Sequence, residues 1–132
     1  MRSIGKSTEI VKNSNQYSYL HFINLLSKLE IKGFQNLFMD ATEKSLLDYV
    51  ALSEYQKHRP LVGELIALSQ IGSPAMLHGR IKNLERYGFI VIAIDKGDQR
   101  KKMISLSKKG KDYYQMLSKY LLEAASEGKE VR

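Results

Sequence analysis

The stretch SPAMLHGRIKNLERYG, which begins at Ser73, constrains the fold of this chain more than any other segment. Ser73 is a good helix cap, Pro74 is favoured in a first helical turn, and Gly88 is a good stop. Between them the apolar residues recur at i, i+4 and i+7, and they are Leu77, Ile81 and Leu84. The pattern therefore predicts a short helix that buries a narrow stripe and leaves its remaining face free.

A charged hairpin is predicted directly after this helix. Residues 89–95 are apolar and β-branched, and residues 102–107 alternate between apolar and polar side chains. The turn between them, residues 96–100, contains Gly97 and several charges. These features predict two strands that pair around an exposed, basic turn.

A shorter helix is predicted before the turn at residues 69–72. Pro60 is expected to open it in the favoured first-turn position, and its inward residues are predicted to be Val62, Leu65, Ile66 and Leu68. Two short helices joined by a four-residue turn, followed by a hairpin, are typical of a helix-turn-helix with a wing.

Longer helices are predicted on both sides of this region. Residues 1–15 are polar and are expected to form a flexible arm, whereas the spacing over residues 16–31 predicts a helix with a wide buried face. A further helix runs from a cap at Asp40 or Thr42 to about Gln56. The last helix is expected to start at Lys108 or Lys109 and to end near Glu127.

Positive charge is concentrated in the predicted helix and hairpin. Residues 72–112 contain ten Lys and Arg against four Asp and Glu, a balance of +6, while the whole chain carries +7. Charge focused on a helix and the adjacent hairpin indicates a surface that binds duplex nucleic acid. It favours nucleic acid over a membrane as the partner, because no basic helix has an unused apolar face.

Composition argues against several other classes of protein. The 132 residues include no cysteine, which excludes disulfides and thiolate metal sites, and the longest apolar run, residues 89–94, is too short to span a bilayer. No histidine, carboxylate, serine or glycine pattern suggests a metal, a cofactor or a catalytic site. The expectation is a cytoplasmic, soluble protein that is not an enzyme and has no cofactor.

The order of these segments resembles the MarR-type winged-helix transcriptional regulators. The resemblance covers about residues 40–110 and rests on Thr42-Glu43, VGELIALSQIGSP, LHGRIKNLERYGFI and DQRKKMISLSKKG. In that family an Asp-x-Arg lies at the wing tip, with the arginine in the minor groove and the aspartate orienting it. The resemblance implies these roles for Arg100 and Asp98. The fold class predicted is mainly α with a small β-hairpin, a three-helix DNA-binding core plus wing.

The candidate DNA-binding residues lie on the recognition helix and on the wing. The first turns of such a helix enter the major groove, where Arg80 can pair with guanine and His78 or Asn83 can reach base edges. A narrow wing can enter the minor groove, while lysines beside it bind phosphates without reading sequence. The complete set is Ser73, Ala75, Met76, His78, Arg80, Lys82, Asn83, Lys96, Asp98, Arg100, Lys101 and Lys102. The alternative for each is an ordinary solvated charge or exposed helix face.

The first and last helices carry more aromatic and leucine side chains than one small core needs. They are predicted to form a two-fold dimer, with residues 16–39 and 108–127 as dimerisation helices around a DNA-binding lobe at 40–107, all in one domain. The alternative is that these helices simply cover their own domain. The residues expected at the interface are Tyr17, Leu20, Leu117, Tyr120 and Leu121. The resemblance also implies a possible small aromatic effector, for which tyrosines would suit a pocket.

Double-stranded DNA and a second copy of the chain are thus the predicted partners. The alternative hypothesis is a winged-helix module whose charged wing binds an acidic protein. Steep loss of DNA affinity with salt distinguishes the two, since several phosphate contacts require it.

Overall fold

The computed structural model of the protein describes residues 16–29 and 39–130. Its elements, in chain order, are α1 Ser18–Leu26, α2 Ala41–Tyr55, α3 Val62–Ile66, α4 Pro74–Arg86, β1 Ile90–Ile94, β2 Lys102–Leu106 and α5 Lys108–Glu130. This mainly helical chain with one two-stranded antiparallel hairpin confirms the predicted fold class. The predicted arm at residues 1–15 lies outside the described residues.

The chain divides into two compact units. One, called the lobe below, holds residues 39–112 with helices α2 to α4 and the hairpin. The other holds α1 and the part of α5 from Tyr113 onward. The predicted lobe at 40–107, the predicted terminal helices and their association in one domain stay predictions.

The core of the lobe forms where α2, α4 and the hairpin meet. The stripe Leu77, Ile81 and Leu84 is buried, as predicted, with at most 1% of each residue exposed. Burying an aliphatic side chain of this size contributes about 1.5–3 kcal/mol, so the stripe holds α4 firmly. The residues that share this core are Leu46, Leu47, Val50, Leu65, Phe89, Ile90 and Ile104.

The ends of α4 are also as predicted. The Ser73 hydroxyl accepts a hydrogen bond from Met76 N at 3.2 Å, and Pro74 is the first helical residue. After the helix, Gly88 has a φ of +90°, a conformation that L side chains rarely adopt. Glycine is therefore required where the chain turns from α4 into β1.

The sequence pattern predicts that Pro60 opens a helix, and this prediction is wrong. Helix α3 begins at Val62 with Leu61 as its N-cap. Pro60 is buried, and its carbonyl accepts a hydrogen bond from Ile104 N at 2.9 Å, while Leu61 forms a β-bridge with Met103. The proline thus lies directly before an isolated β-bridge to β2 and not in the first turn of a helix.

The strands of the hairpin pair in a single register, from Ile90 opposite Leu106 to Ile94 opposite Lys102. Strand β1 is one residue shorter at each end than its predicted segment, and β2 ends one residue early. At the open end of the hairpin Ser107 caps α5, since its hydroxyl accepts from Gly110 N at 3.0 Å and donates to Gly88 O. A Cβ on Gly110 would clash with the backbone carbonyl of Phe89, the residue before β1. This close approach fixes the start of α5 at the base of the wing.

The terminal helices differ from their predicted form. In the described part of the predicted helix over residues 16–31, Ser18–Leu26 is helical with turns to residue 29, and only Leu25 and Leu29 are buried. Within residues 16–29 the wide buried face expected for this helix is therefore not present. Helix α5 extends to Glu130, three residues beyond its expected end.

Candidate nucleic-acid interface

The outer face of α4 presents several of the predicted DNA-binding residues. Ala75, His78 and Lys82 are exposed, and Met76 is half-buried. Ala75, His78 and Lys82 are spaced at i, i+3 and i+7, so they share one face of the helix, away from the buried stripe. Lys82 is 3.8 Å from Glu85, an exposed pair that holds neither side chain strongly. This face is available to a partner.

Arg80 is directed toward the lobe rather than free in solution. Its Nε donates a hydrogen bond to Asp40 Oδ2 at 2.7 Å and lies 3.8 Å from Glu43 Oε2. Only 34% of the Arg80 side chain is exposed. The prediction that this arginine points outward to read guanine therefore needs correction: its guanidinium is already paired with two carboxylates at the start of α2.

Asn83 is held in the same way. Its Nδ2 donates to Glu43 Oε2 at 2.7 Å, and its Oδ1 accepts from Arg86 Nη2 at 2.6 Å. Both polar atoms of the amide are thus engaged, and the residue is half-buried. The predicted DNA contact of Asn83 stays a prediction, and its amide takes part in the packing between α4 and α2.

The partners of Arg80 and Asn83 form the capping box of α2. Glu43 N donates to Asp40 Oδ1 at 2.8 Å, and Asp40 N donates to Glu43 Oε1 at 3.0 Å. The backbone N–H of Glu43 holds the pKa of Asp40 below its ordinary value, and the Arg80 guanidinium adds to this lowering. We call these four residues the α2–α4 clamp: Asp40, Glu43, Arg80 and Asn83.

The wing turn is tied together by its own aspartates. Asp95 N donates to Lys101 O and Lys101 N donates to Asp98 O, both at 2.9 Å, and Asp95 Oδ1 accepts from Gly97 N at 3.3 Å. A short turn with several internal hydrogen bonds is a compact and stiff projection. It gives the side chains at its tip a defined base.

Arg100 projects from this tip. Its side chain is 93% exposed, the opposite of Arg80. Asp98 Oδ1 accepts from Arg100 N at 3.0 Å and from Arg100 Nε at 3.3 Å. One carboxylate therefore fixes the backbone and biases the guanidinium, leaving its terminal nitrogens unobstructed.

The lysines beside Arg100 are exposed. Lys96, Lys101 and Lys102 surround the turn, and within the described residues none of them forms an ion pair. They create a positive field around the tip without a preferred side-chain geometry, which suits phosphate contacts and not base reading.

Two residues of this surface, Glu43 and Arg86, are not among the DNA-binding residues predicted from the sequence. Glu43 is 3% exposed and organises the clamp, and Arg86 is an exposed cation at the end of α4 that also lies 5.8 Å from the Tyr87 ring centroid. The capping-box spacing of Asp40 and Glu43 was visible in the sequence. Its pairing with side chains 40 residues away was not.

The predicted dimerisation residues fall into two groups. Tyr17, Leu20 and Leu121 are 46%, 59% and 58% exposed, respectively. Leu117 is half-buried, and Tyr120 is already buried inside the chain, although its hydroxyl has no hydrogen-bond partner there. Only the first group offers apolar surface that a second subunit could cover.

Neither a metal cluster nor a membrane span is found in the part of the chain that the structure describes. No group of three or more His, Asp or Glu residues is placed to hold a metal ion. No helix there is long and apolar enough to cross a bilayer.

Comparison with known proteins identifies the fold. No family model matches the chain and no curated protein matches it. Among solved structures, the chain is similar to the transcriptional regulator Tm0710 of Thermotoga maritima, with 15% identity and a TM-score of 0.56 over 93% of this chain and 75% of that one.

Two further structures are similar to a comparable degree. A point mutant of the S. aureus protein MepR, bound to an oligodeoxyribonucleotide, has 22% identity and a TM-score of 0.55, over 81% of this chain and 77% of its own. The heme sensor PefR of Streptococcus agalactiae, in complex with heme, has 20% identity and a TM-score of 0.55, over 80% and 71%. These proteins are MarR-family transcriptional regulators. The chain therefore has the winged helix-turn-helix fold of the MarR-type transcriptional regulators.

Proposed function

We propose that the protein is a sequence-specific regulator of transcription that binds double-stranded DNA as a homodimer. Helix α4 enters the major groove, and Arg100 of each wing enters the flanking minor groove. The single observation that carries the proposal is the wing tip, where an almost fully exposed arginine is oriented by Asp98 on a stiff turn. A minor groove about 6 Å wide accepts such a tip and concentrates negative potential around it.

The exposed face of α4 makes the major-groove contacts. His78 and Lys82 are free to meet base edges, and Ala75 offers an apolar contact for a thymine methyl group. Ser73, at the N-terminus of α4, can hold a phosphate beside the helix amides. Arg80 and Asn83 support this face from behind through the α2–α4 clamp.

Dimerisation gives this surface its symmetry. The exposed apolar side chains of the terminal helices, Leu20 and Leu121 among them, need a partner to remove them from water. A two-fold dimer places two recognition helices about 34 Å apart, in successive major grooves, and so requires a roughly palindromic operator. The S. aureus protein MepR is seen bound to DNA, which supports the same use of this fold.

A small aromatic effector remains a prediction. The structural neighbours include a complex with heme and a MepR complex with ethidium bromide. They show that this fold can hold flat aromatic molecules in other proteins.

The test is the affinity of wild-type protein and Arg100→Ala for DNA sites selected from a random pool. The substitution should weaken binding by about 1–3 kcal/mol, roughly 5- to 150-fold, with folding and oligomeric state unchanged. Lys119→Ala is the matched control, since it removes an exposed cation from the other unit. Equal affinity of Arg100→Ala and wild type would contradict the role of the wing.

A salt titration tests the class of partner. Contacts with several phosphates require the logarithm of the DNA affinity to fall steeply with the logarithm of salt concentration. Absence of duplex binding at low salt would overturn the proposal and favour an acidic protein as the partner of the wing.

A further inference from the structure

An open cleft lies at the base of the wing, within the lobe. Its volume is about 320 Å³, and it is bounded by the end of α2 and the connector after it, by the end of β2 and by the first turns of α5. This is within the lower range for small-molecule sites. We call it the basal cleft. The polar residues used below are Glu54, Lys57, His58, Arg59, Ser105 and Lys111.

Three cations line the basal cleft without acidic partners. Lys57, Arg59 and Lys111 are exposed, and among the described residues none of them forms an ion pair. Glu54 is the one carboxylate in the lining, and its Oε2 accepts a hydrogen bond from Leu106 N at 2.5 Å. With His58 neutral, three positive charges against one negative charge leave the cleft at +2.

One further acid, Glu64, lies beside the cleft and outside its lining. Glu64 is 3.1 Å from His58 Nε2 and also accepts from Tyr49 Oη at 3.2 Å and from Leu61 N at 3.3 Å. These hydrogen bonds leave its negative charge in place, which lowers the +2 of the lining to +1. The three cations of the lining nevertheless exceed the two nearby acids, and their exposed charges are available to an anion.

Lys57 occupies a backbone position that normally favours glycine. Its φ is +65°, and it follows α2 in a turn where Lys57 N donates to Glu54 O at 2.9 Å and His58 N donates to Ser53 O at 2.8 Å. This hydrogen-bond pattern is the helix C-terminal motif in which glycine avoids the strain of a Cβ. Lysine therefore offers no backbone advantage over glycine at this position. What the lysine side chain adds is a positive charge at the cleft.

The basal cleft lies at the opposite end of the hairpin from Arg100. Ser105 is three residues along β2 from Lys102, where the turn begins, which corresponds to about 10 Å of strand. Arg100 extends beyond that turn. The cleft is therefore separate from the tip that the minor groove would receive.

We propose that the basal cleft binds a small organic phosphate or polyphosphate with at least two negative charges. Arg59 offers a planar fork that matches two phosphate oxygens. Lys57 and Lys111 supply charge from the connector and from α5, and the Ser105 hydroxyl supplies a neutral hydrogen bond. The ligand would join three elements of the lobe at the point where α5 begins.

Isothermal titration of the full chain with pyrophosphate tests the site without DNA. We expect one pyrophosphate per chain, with affinity about tenfold weaker in Arg59→Gln and in Lys111→Gln, since each loses a charge-assisted hydrogen bond. Lys108→Gln is the matched control. Lys108 is an exposed cation in the same turn of α5 as Lys111, but it pairs with Asp112 and lies outside the lining. The Lys108→Gln variant should therefore bind pyrophosphate as wild type does.

Lys57→Gly separates binding from folding. Glycine relieves the positive-φ strain, so the melting temperature should rise by about 4 °C, while pyrophosphate affinity falls about tenfold. A variant that is more stable yet binds more weakly cannot owe its loss to misfolding. Unchanged affinity in Lys57→Gly and Arg59→Gln, or no pyrophosphate binding by wild type, overturns the proposal.

Duplex affinity distinguishes the source of the phosphate. Without pyrophosphate, Arg59→Gln and Lys111→Gln should bind DNA as tightly as wild type does. If they bind DNA more weakly and with a shallower salt dependence, the cleft takes phosphates of the duplex and the small-ligand proposal is overturned. Because the pyrophosphate titration contains no DNA, its result is independent of the proposed regulator function.

Discussion

Helix α4 and the wing both carry cations, but they hold them in different ways. Two of the three cations of α4 are held by the protein, since Arg80 pairs with Asp40 and Arg86 donates to Asn83, whereas Lys82 makes only an exposed contact with Glu85. The four cations of residues 96–102 are exposed, and Asp98 is the one acid that bonds to any of them among the described residues. The helix thus uses much of its charge to fix its own position, while the wing presents its charge to a partner.

This difference separates stability from affinity. A charge that already has a short, partly buried carboxylate partner contributes to the packing of α4 on α2 and has less to offer a phosphate or a base. An exposed charge contributes little to stability and remains available to an anion. Substitutions in the α2–α4 clamp should therefore act mainly on folding, and substitutions in the wing mainly on DNA binding.

The largest effect on stability is expected from Glu43→Ala. The substitution removes the buried acceptor of Asn83 and the nearby charge of Arg80, and it breaks the capping box of α2. Leaving buried polar groups without a partner costs about 3 kcal/mol of unfolding free energy. Urea denaturation measures it.

Glu43→Gln is the control for this prediction. Glutamine has one acceptor oxygen, so it can keep the Asp40 N bond of the capping box but not the Asn83 bond as well, and it should cost about 2 kcal/mol, less than alanine. Arg100→Ala should leave the unfolding free energy within about 0.5 kcal/mol of wild type. Equal destabilisation by Glu43→Ala and Arg100→Ala would break the contrast between helix and wing.

A smaller effect, on affinity alone, is expected from Asp98→Ala. Asp98 orients Arg100 but repels phosphate itself, so its removal should weaken operator binding only about threefold, as for an exposed pair. Binding isotherms of Asp98→Ala, Arg100→Ala and the double variant form a thermodynamic cycle. If the effect of Asp98→Ala persists in the Arg100→Ala background, Asp98 does not act through Arg100.

The smallest effect is expected from Asp40→Asn, and it depends on pH. The pKa of Asp40 is lowered in the folded protein, chiefly by Glu43 N and further by Arg80. A lowered pKa stabilises the fold above the unfolded pKa of about 4, and this stabilisation disappears as the pH falls through the folded value. Asparagine keeps the helix cap with its one oxygen, so the substitution removes the charge and the acceptor of Arg80 Nε.

Denaturation at several pH values measures this contribution. Wild type should exceed Asp40→Asn by roughly 0.5 kcal/mol between pH 5 and pH 8, a value typical of a half-exposed pair. The difference should close below pH 4. A difference that persists undiminished at pH 3 would show that the charge of Asp40 does not hold Arg80.

Local patterns in the sequence were sufficient to predict α4 and the wing. The cap at Ser73, the stripe from Leu77 to Leu84 and the stop at Gly88 depend on hydrogen bonds and packing within one helix. The wing turn likewise depends on residues within seven positions of one another. Short-range patterns of this kind are the ones that can be predicted most directly from a single sequence.

Pro60 shows where a local rule failed. A proline before an apolar helical pattern is a sound signal for a first turn, yet Leu61 intervenes as the cap and Pro60 lies against β2. The position of a strand more than 40 residues later decided its role. No propensity of the proline itself contains that information.

The sequence by itself determined the order of elements, the buried stripe of α4 and the concentration of charge that points to an anionic partner. Those features follow from periodicity and composition, which any window of the chain displays. Only the tertiary structure decided which arginine is available to that partner. Arg80 and Arg100 are the same residue type in the same charged region, but packing brings Asp40 and Glu43 to one and leaves the other in solvent. The reason is physical: a pairing between side chains 40 residues apart exists only once α2 and α4 are packed together.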